Sequence, residues 1–147
     1  MTTPRQTPAE CSALLAAGHA YLDVRTEEEF NQGHPAGAYN VPIAFTGNHG
    51  MEPNGAFVAV VRAVFPADAR LVVGCAAGGR SKQAVAQLEA AGFTALVENC
   101  AGFDGARSMV TRQITEPGWR AAGLPVATRA EPGRGYAELE SRARSAK

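Results

Sequence analysis

The sequence predicts an α/β protein with a central parallel β-sheet. Short apolar stretches alternate with longer amphipathic stretches, and glycines or capping residues separate them. The chain has 147 residues, of which 46% are hydrophobic, enough for one domain with one sizeable core. Strands separated by helices pair in parallel through right-handed crossovers, and the helices cover both faces of the sheet. We therefore expect a single domain with helices on both faces.

The first two helices begin with the same signal, a Thr followed three residues later by a Glu. The Thr hydroxyl can accept the backbone N–H of the Glu, and the Glu carboxylate can accept the backbone N–H of the Thr. This pair of hydrogen bonds favours a helix start. A Gly marks the predicted end of each helix. The caps are Thr7 and Thr26, the paired acids are Glu10 and Glu29, and the ends are Gly18 and Gly33.

Apolar stretches predict the strands, and amphipathic stretches of greater length predict two further helices. The predicted strands span residues 20–24, 38–41, 71–74 and 95–97. The predicted helices span residues 55–65, with Asn54 as the cap, and residues 81–91, with Gly92 at the end.

A cysteine follows the third predicted strand, and a glycine-rich run leads from it into a helix. Backbone N–H groups at a helix N-terminus lack intrahelical acceptors, so they would stabilise a thiolate. Adjacent glycines let consecutive amides turn toward one centre. In open parallel sheets, ligands bind beyond the carboxyl ends of the strands, where this cysteine lies. The residues of the predicted site are Cys75, Ala76, Ala77, Gly78, Gly79, Arg80 and Ser81.

This arrangement predicts nucleophilic chemistry performed by the Cys75 sulfur. A buried structural cysteine is the alternative, and the glycines, the arginine and the helix start argue against it. Arg80 can hold a negatively charged sulfur species or pair with a carboxylate at the sheet edge. Ser81 can cap the helix and donate its hydroxyl to the sulfur.

The loop resembles that of the rhodanese family, which has the form Cys-x-x-Gly-x-Arg followed by Ser or Thr. Cysteine-based phosphatases place one more residue between the Cys and the Arg than the four found here. Other segments resemble the family's motifs in the right order, and segment 54–65 is most similar to small single-domain thiosulfate sulfurtransferases. The matching segments are 21–25, 28–30, 33–34, 37–42, 118–119 and 122–125.

The resemblance implies a rhodanese-like fold with about five parallel strands and a persulfide intermediate on Cys75. A small anionic donor such as thiosulfate would supply sulfane sulfur. Cyanide or a thiol would accept it, the thiol being a small molecule or a thioredoxin-like protein. No cofactor is implied, because the protein carries its own intermediate.

Two alternatives remain open. A rhodanese-like binding or regulatory module without turnover would fit Ala76 and Ala77, where many active members carry a basic or polar residue. A related cysteine-based phosphatase or arsenate reductase is the second alternative, which the length of the loop disfavours.

Residues outside the loop are assigned supporting roles. Asp23 and Arg25 are predicted to form an ion pair that braces the loop, and Phe103 and Trp119 are candidates for the pocket rim. Cys100 is expected to pack in the structure, with a resolving-thiol role as the alternative. The histidines have no ligand spacing, so no metal site is expected.

Charge and cysteine content limit the possible partners and location. The formal net charge is zero and no long run of like charge is present, so neither nucleic acid nor a membrane is expected as the main partner. No apolar stretch has the length of a membrane-spanning helix, and the N-terminus lacks a secretory pattern. The 3 cysteines are widely spaced and suit a reducing compartment. We therefore expect a cytoplasmic location.

The chain is predicted to divide into a rhodanese-like domain, residues 1–126, and a polar C-terminal extension, residues 127–147. The extension is rich in Arg, Glu, Ala and Gly, and a short helix can begin at Tyr136. We expect a solvated terminus, the alternative being an arm that contacts a partner or a second copy.

Overall fold

The computed structural model describes residues 3–77, 79–108 and 110–145. None of the helices in these ranges is both long and apolar enough to cross a membrane. In chain order the elements are β1 (Arg5–Gln6), α1 (Pro8–Ala16), β2 (Ala20–Asp23), α2 (Glu27–Gln32), β3 (His34–Pro35), β4 (Tyr39–Asn40), β5 (Ala44–Gly47), β6 (Gly50–Pro53), α3 (Phe57–Val64), β7 (Leu71–Gly74), α4 (Gly79–Ala90), β8 (Leu96–Asn99), β9 (Ala106–Arg107), β10 (Ile114–Glu116), β11 (Val126–Ala127) and α5 (Tyr136–Ser145).

Five strands form the central sheet, in the order β1-β8-β7-β2-β4. Every pairing within this sheet is parallel. Smaller antiparallel pairs join β5 to β6, β9 to β10 and β3 to β11. The predicted central parallel sheet is confirmed. The edge strand β1 and the short antiparallel pairs are features that the sequence analysis missed.

Helices cover both faces of the sheet, as predicted. Successive residues of a strand point to opposite faces, so neighbours in one strand belong to different cores. Leu22 and Val73 pack with buried residues of α3, α4 and α5. Tyr21 and Val72 pack with buried residues of α1 and α2 and with Trp119. The sheet therefore separates two hydrophobic clusters.

The two predicted capping signals are confirmed. The Thr7 hydroxyl accepts the Glu10 N–H at 3.2 Å, and the Glu10 carboxylate accepts the Thr7 N–H at 2.9 Å. The Thr26 hydroxyl accepts the Glu29 N–H at 3.2 Å, and the Glu29 carboxylate accepts the Thr26 N–H at 3.1 Å. The second cap fixes the position of Glu29, which also contributes to the candidate site.

The predicted cap of the third helix is wrong. Helix α3 begins at Phe57, and Ala56 is its cap without a side-chain hydrogen bond. The Asn54 side chain accepts the Ala56 N–H at 3.0 Å, before the helix starts. Its amide group donates to the Pro42 carbonyl at 2.9 Å and to the Tyr136 hydroxyl at 3.1 Å. Asn54 is thus engaged in joining three segments of the chain.

The helix expected from Tyr136 is present as α5, but the expected solvated terminus is wrong for this segment. Tyr136 and Leu139 are buried in the core that also includes residues of α3. The Asn40 N–H donates to the Arg134 carbonyl at 2.9 Å, which joins the approach to α5 to strand β4. Two buried apolar side chains in a polar sequence thus pack this helix against the domain.

Candidate active site

Cys75 lies at the carboxyl end of the central sheet, directly after β7. Strand β7 pairs with β2 on one side and with β8 on the other. Helix α4 begins at Gly79, two residues before the predicted start, so Ser81 lies in its first turn rather than at its cap. Cys75 is only 2% exposed. Gly78, for which the sequence predicts an inward-facing amide, lies outside the described residues.

A turn that follows β8 holds the backbone of the loop. The Phe103 N–H donates to the Cys75 carbonyl at 2.8 Å, and the Asp104 N–H donates to the Ala76 carbonyl at 2.9 Å. In a trans peptide the N–H points away from the carbonyl of the same unit. The Ala76 and Ala77 amides therefore point away from this turn, and within the described ranges neither donates a hydrogen bond. The N–H groups of Ala76 and Ala77 are thus two adjacent donors that point the same way beside Cys75.

Two residues that the sequence analysis missed shape this turn. Gly102 has a φ of 62°, and a side chain there would collide with the carbonyls of Cys75 and Ala76. The buried Asn99 side chain accepts the Gly102 N–H at 3.1 Å and donates to the Tyr21 hydroxyl at 3.0 Å. An Asn followed closely by a Gly after a strand is a turn signal that could have been found in the sequence.

Arg80 is paired with a carboxylate, and its partner lies on α2 rather than at the sheet edge. Its terminal nitrogens donate to the Glu29 carboxylate at 2.6 and 2.9 Å. These bonds are the main cause that lowers the pKa of Glu29 to about 2. The pKa of Arg80 is raised, first by the hydrogen bonding to Glu29 and further by the negative charges of Cys75 and Asp23. Arg80 therefore lies within electrostatic range of Cys75.

Asp23 and Arg25 form a buried ion pair. Arg25 donates to the Asp23 carboxylate at 3.0 and 2.7 Å and to the Gly33 carbonyl at 2.7 Å. Burial alone would lower the pKa of Arg25, but the hydrogen bonds to Asp23 and the nearby negative charges, that of Asp23 foremost, together outweigh it and raise the pKa. The guanidinium lies 4.5 Å from the centre of the Phe103 ring. The pair thus supports Phe103, whose backbone binds the Cys75 carbonyl.

Ser81 makes a hydrogen bond that the sequence analysis did not predict. Its hydroxyl donates to the buried Glu98 carboxylate at 2.8 Å. Glu98 also accepts a hydrogen bond from the Arg5 side chain at 3.1 Å. Through these contacts, the first turn of α4 is connected to β8 and β1.

A cavity of about 290 Å³ lies beside Phe103 and Asp104, the two residues whose amides hold the loop. Phe103 lines it, but Trp119, the other candidate for the rim, does not. Trp119 is buried in the core, where its indole N–H donates to the Pro125 carbonyl at 2.8 Å and its ring makes a T-shaped contact with the ring of Tyr21. The cavity is lined by Arg25, Glu29, Gln32, Gly33, Phe103, Asp104 and Arg120.

Cys100 lies beside the end of β8, near Cys11 of helix α1. The Cys100 N–H donates to the Gln6 carbonyl at 2.9 Å, and the Cys11 thiol approaches the same oxygen at 3.8 Å. Burial is the main cause that raises the pKa of both thiols, that of Cys11 to about 12. Within the part of the chain that the structure describes, no cluster of His, Cys, Asp or Glu is arranged to hold a metal ion.

The chain has an open parallel sheet, and a cysteine lies beyond the central strand, followed by a short loop and a helix. This arrangement defines a class of α/β proteins with a cysteine-centred loop. The rhodanese-like domain model matches residues 7–105. The chain therefore belongs to the rhodanese-like domain family, and the resemblance inferred from its motifs is confirmed.

Two plant proteins and one bacterial structure show the extent of the similarity. The chain is 48% identical over 90 residues to thiosulfate sulfurtransferase 16, chloroplastic, of Arabidopsis thaliana, covering 61% of this chain and 75% of that protein. It is 39% identical over 101 residues to rhodanese-like domain-containing protein 15, chloroplastic, of the same plant, covering 68% and 56%. The crystal structure of Rv0390 from M. tuberculosis matches with a TM-score of 0.71 and 26% identity, covering 88% of this chain and 100% of that one.

These relatives support placement among sulfurtransferases and correct the expected location. One of the two plant proteins is named as a thiosulfate sulfurtransferase. Both of those relatives are chloroplastic, and the expectation of a cytoplasmic location is therefore wrong. The absence of a secretory pattern could not distinguish the cytoplasm from an organelle.

Proposed function

We propose that the protein is a sulfurtransferase that carries sulfane sulfur as a persulfide on Cys75. The observation that carries this proposal is the attachment of the Cys75 and Ala76 carbonyls to the Phe103 and Asp104 amides. This attachment leaves the next two loop N–H groups directed away from the turn, where they can stabilise an anionic sulfur. The name of the 48% identical plant relative supports thiosulfate as the donor class.

The proposed reaction has two half-reactions. The Cys75 thiolate attacks the outer sulfur of thiosulfate, a new S–S bond forms, and the S–S bond of the donor breaks with its electron pair leaving on sulfite. An acceptor thiolate or cyanide then attacks the outer sulfur of the persulfide. The S–S bond to Cys75 breaks, and its electron pair regenerates the thiolate. This double displacement gives ping-pong kinetics and needs no cofactor.

We assign the main contact with the persulfide to the loop amides and an indirect role to Arg80. Arg80 uses both terminal nitrogens to bind Glu29. Hydrogen bonding to Glu29 is the main cause that raises the pKa of Arg80, and the negative charge of Cys75 contributes to it, so the two side chains interact through space. Ala76 and Ala77 add no side-chain charge, so backbone donors and the start of α4 dominate the local field.

Intact mass spectrometry after incubation with thiosulfate tests the proposal. We expect the wild type and the matched control Cys100→Ser to gain the mass of one sulfur atom and Cys75→Ser to gain none. Steady-state rates with thiosulfate and cyanide should then give the parallel lines of a ping-pong mechanism. A folded wild type that gains no sulfur would indicate a binding module, and a gain that persists in Cys75→Ser would exclude Cys75 as the carrier.

A further inference from the structure

Two cysteines that the proposed reaction does not use lie close together where α1, β1 and β8 meet. Cys11 belongs to α1 and is fully buried, and Cys100 directly follows β8 and is half-buried. Strand β1 pairs with β8 and precedes α1 in the chain, so it brings these elements together. Any chemistry of this pair is therefore separate from the reaction at Cys75.

One carbonyl oxygen contacts both residues. The Gln6 carbonyl accepts the Cys100 N–H at 2.9 Å, and the Cys11 thiol approaches the same oxygen at 3.8 Å. Only this oxygen and its two contacts therefore separate the Cys11 sulfur from the Cys100 backbone. A disulfide joins residues whose α-carbons are about 4.4–6.8 Å apart. Two residues that contact the same oxygen atom are compatible with that range.

The two thiols differ in their access to solvent, which sets the order in which they react. Cys100 is half-buried, and the positive charge of Arg5 partly offsets the burial that raises the pKa of its thiol. Cys11 is fully buried, and burial is the main cause that raises its pKa to about 12, followed by the charge of Cys100. An oxidant from solution therefore reacts with Cys100 first, and Cys11 reacts with the product.

Cys100 also begins the turn that holds the loop. It directly follows Asn99, whose side chain accepts the Gly102 N–H at 3.1 Å. The same turn continues to Phe103, whose N–H donates to the Cys75 carbonyl at 2.8 Å. A covalent bond at Cys100 therefore acts on the backbone that positions the loop.

The opposite faces of the sheet determine the direction of this effect. Cys11 packs with Tyr21 and Trp119 in the cluster on one face, whereas Cys75 belongs to the cluster on the other. Close-packed side chains resist displacement, so the half-buried Cys100 is the residue that moves when the two sulfurs approach each other. Its movement towards Cys11 leads the turn away from the face of the sheet that carries Cys75.

We infer that Cys11 and Cys100 form a reversible disulfide and that this disulfide slows the reactions of the Cys75 sulfur. The oxidant is a low-molecular-weight disulfide. The Cys100 thiolate attacks one of its sulfurs, a new S–S bond forms, and the S–S bond of the oxidant breaks with its electron pair leaving on the first thiolate. The Cys11 thiol then gives its proton to the buffer and attacks the Cys100 sulfur, and the second thiolate leaves. The two cysteines are oxidised, and the oxidant is reduced to two thiols.

Cys75→Ser isolates the pair, because Cys11 and Cys100 are then the remaining cysteines of the chain. Incubation with bis(2-hydroxyethyl) disulfide should remove the mass of two hydrogen atoms, and peptide mapping should find Cys11 joined to Cys100. The wild type, mapped in the same way, should contain the same cross-link.

Two further substitutions serve as matched controls for the cross-link. Adding Cys100→Ser should abolish the reaction, because Cys11 is shielded from the oxidant. Adding Cys11→Ala should stop it at a mixed disulfide on Cys100. A mixed disulfide on Cys100 that persists while Cys11 is present would overturn the inference.

Mass spectrometry of partly oxidised wild type then measures the effect on the loop. This part of the inference rests on the proposed function, whereas formation of the disulfide does not. After removal of the oxidant and addition of thiosulfate, we expect cross-linked molecules to gain sulfur on Cys75 about tenfold more slowly than reduced molecules in the same sample. Molecules that carry the oxidant on Cys75 are heavier and are counted separately. Reduction with dithiothreitol before thiosulfate is added should restore the rate.

The outcomes separate this inference from the proposed function. Equal rates for cross-linked and reduced molecules would overturn the effect on the loop. A cross-link in a protein whose reduced form gains no sulfur would support the disulfide and refute sulfur transfer. Alkylation of Cys75 by iodoacetamide, which needs no transfer, would then compare the two forms. Sulfur transfer without any cross-link would refute the disulfide and leave the transfer reaction intact.

Discussion

Glu29 and Arg80 are joined by two hydrogen bonds, at 2.6 and 2.9 Å, although 51 positions separate them in the chain. The same Glu29 carboxylate accepts the Thr26 N–H at the start of α2. The pair therefore ties a locally encoded helix cap to the first turn of α4, directly behind the loop that holds Cys75. The cap at the start of α2 thus helps to fix the position of the Arg80 side chain in α4.

Replacing Glu29 by Gln tests this pair, because Gln keeps an acceptor for the Thr26 cap and loses the charge. Arg80 lowers the pKa of Glu29 to about 2. The stabilisation is therefore complete above the ordinary glutamate pKa of about 4.3 and is lost as the pH falls through about 2. Both side chains are partly exposed, at 24% and 34%, so solvent screening limits the contribution to under about 1 kcal/mol.

The measurement is the free energy of unfolding in urea between about pH 6 and pH 3. Over this range, the wild type should lose more stability than Glu29→Gln. Glu28→Gln serves as the control, since Glu28 is an exposed neighbour on the same helix. Parallel curves for the wild type and Glu29→Gln would show that the pair contributes nothing to folding.

Gly102 and Gly123 offer a matched comparison for the turn that holds the loop. Both have positive φ, 62° and 76°, so alanine is strained at either position by about 1–2 kcal/mol. Only at Gly102 would the added methyl group also collide with the carbonyls of Cys75 and Ala76, since nothing lies within 4 Å of the corresponding position at Gly123.

We expect Gly102→Ala to lower the free energy of unfolding by about 2–4 kcal/mol and Gly123→Ala by about 1 kcal/mol. Urea titration measures both values. The rate of persulfide formation on Cys75 should fall in Gly102→Ala alone, because only this substitution displaces the loop carbonyls. Equal effects of the two substitutions on that rate would show that the turn does not position the loop.

Asn99 is predicted to be the main polar support of the same turn. It is fully buried, accepts the N–H groups of Ala101 and Gly102 at 3.2 and 3.1 Å, and donates to the Tyr21 hydroxyl at 3.0 Å. Asn99→Ala leaves these buried groups without partners, which should cost about 2–4 kcal/mol. The exposed Asn31 of α2 provides the control Asn31→Ala.

Hydrogen exchange distinguishes a local from a general effect of this substitution. Protection of the Gly102 amide should fall in Asn99→Ala by more than protection of the amides in β2. A uniform loss across both segments would mean that Asn99 supports the fold in general and not the turn in particular.

The parts that the sequence could predict are those decided by neighbouring residues. The Thr7 and Thr26 caps and the strand before Cys75 follow from short patterns, and all appear in the structure. The partner of Arg80 could not be predicted, because it depends on which elements the topology brings together. The burial of Tyr136 could not be predicted either, because the polar residues around it in the sequence give no indication that it packs in the core.

The candidate site shows the same division. Cys75 and its position at a strand end follow from the strand, loop and helix pattern. The direction of the loop carbonyls depends on a turn almost thirty positions later, at Phe103 and Asp104. The Asn99 and Gly102 pair signals a turn, but nothing in the sequence states that this turn meets the loop.

Cys11 allows a test at alkaline pH of how tightly α1 packs on the sheet. Its side chain is fully buried, and burial is the main cause that raises the pKa of its thiol to about 12. An unfolded cysteine ionises near pH 8.5, so above about that pH the unfolded chain releases a proton that the folded protein keeps. The free energy of unfolding should therefore fall as the pH rises from about 8.5 toward 12.

Cys11→Ala removes this dependence and leaves a small cavity that costs stability at every pH. The wild type should be the more stable protein near neutral pH, and its advantage should shrink by about 1–2 kcal/mol by about pH 10. Urea unfolding under reducing conditions at several pH values measures this difference. If this advantage in stability stays constant over the pH range, the folded protein lets Cys11 ionise as readily as the unfolded chain does. Water must then reach the contact between α1 and the sheet.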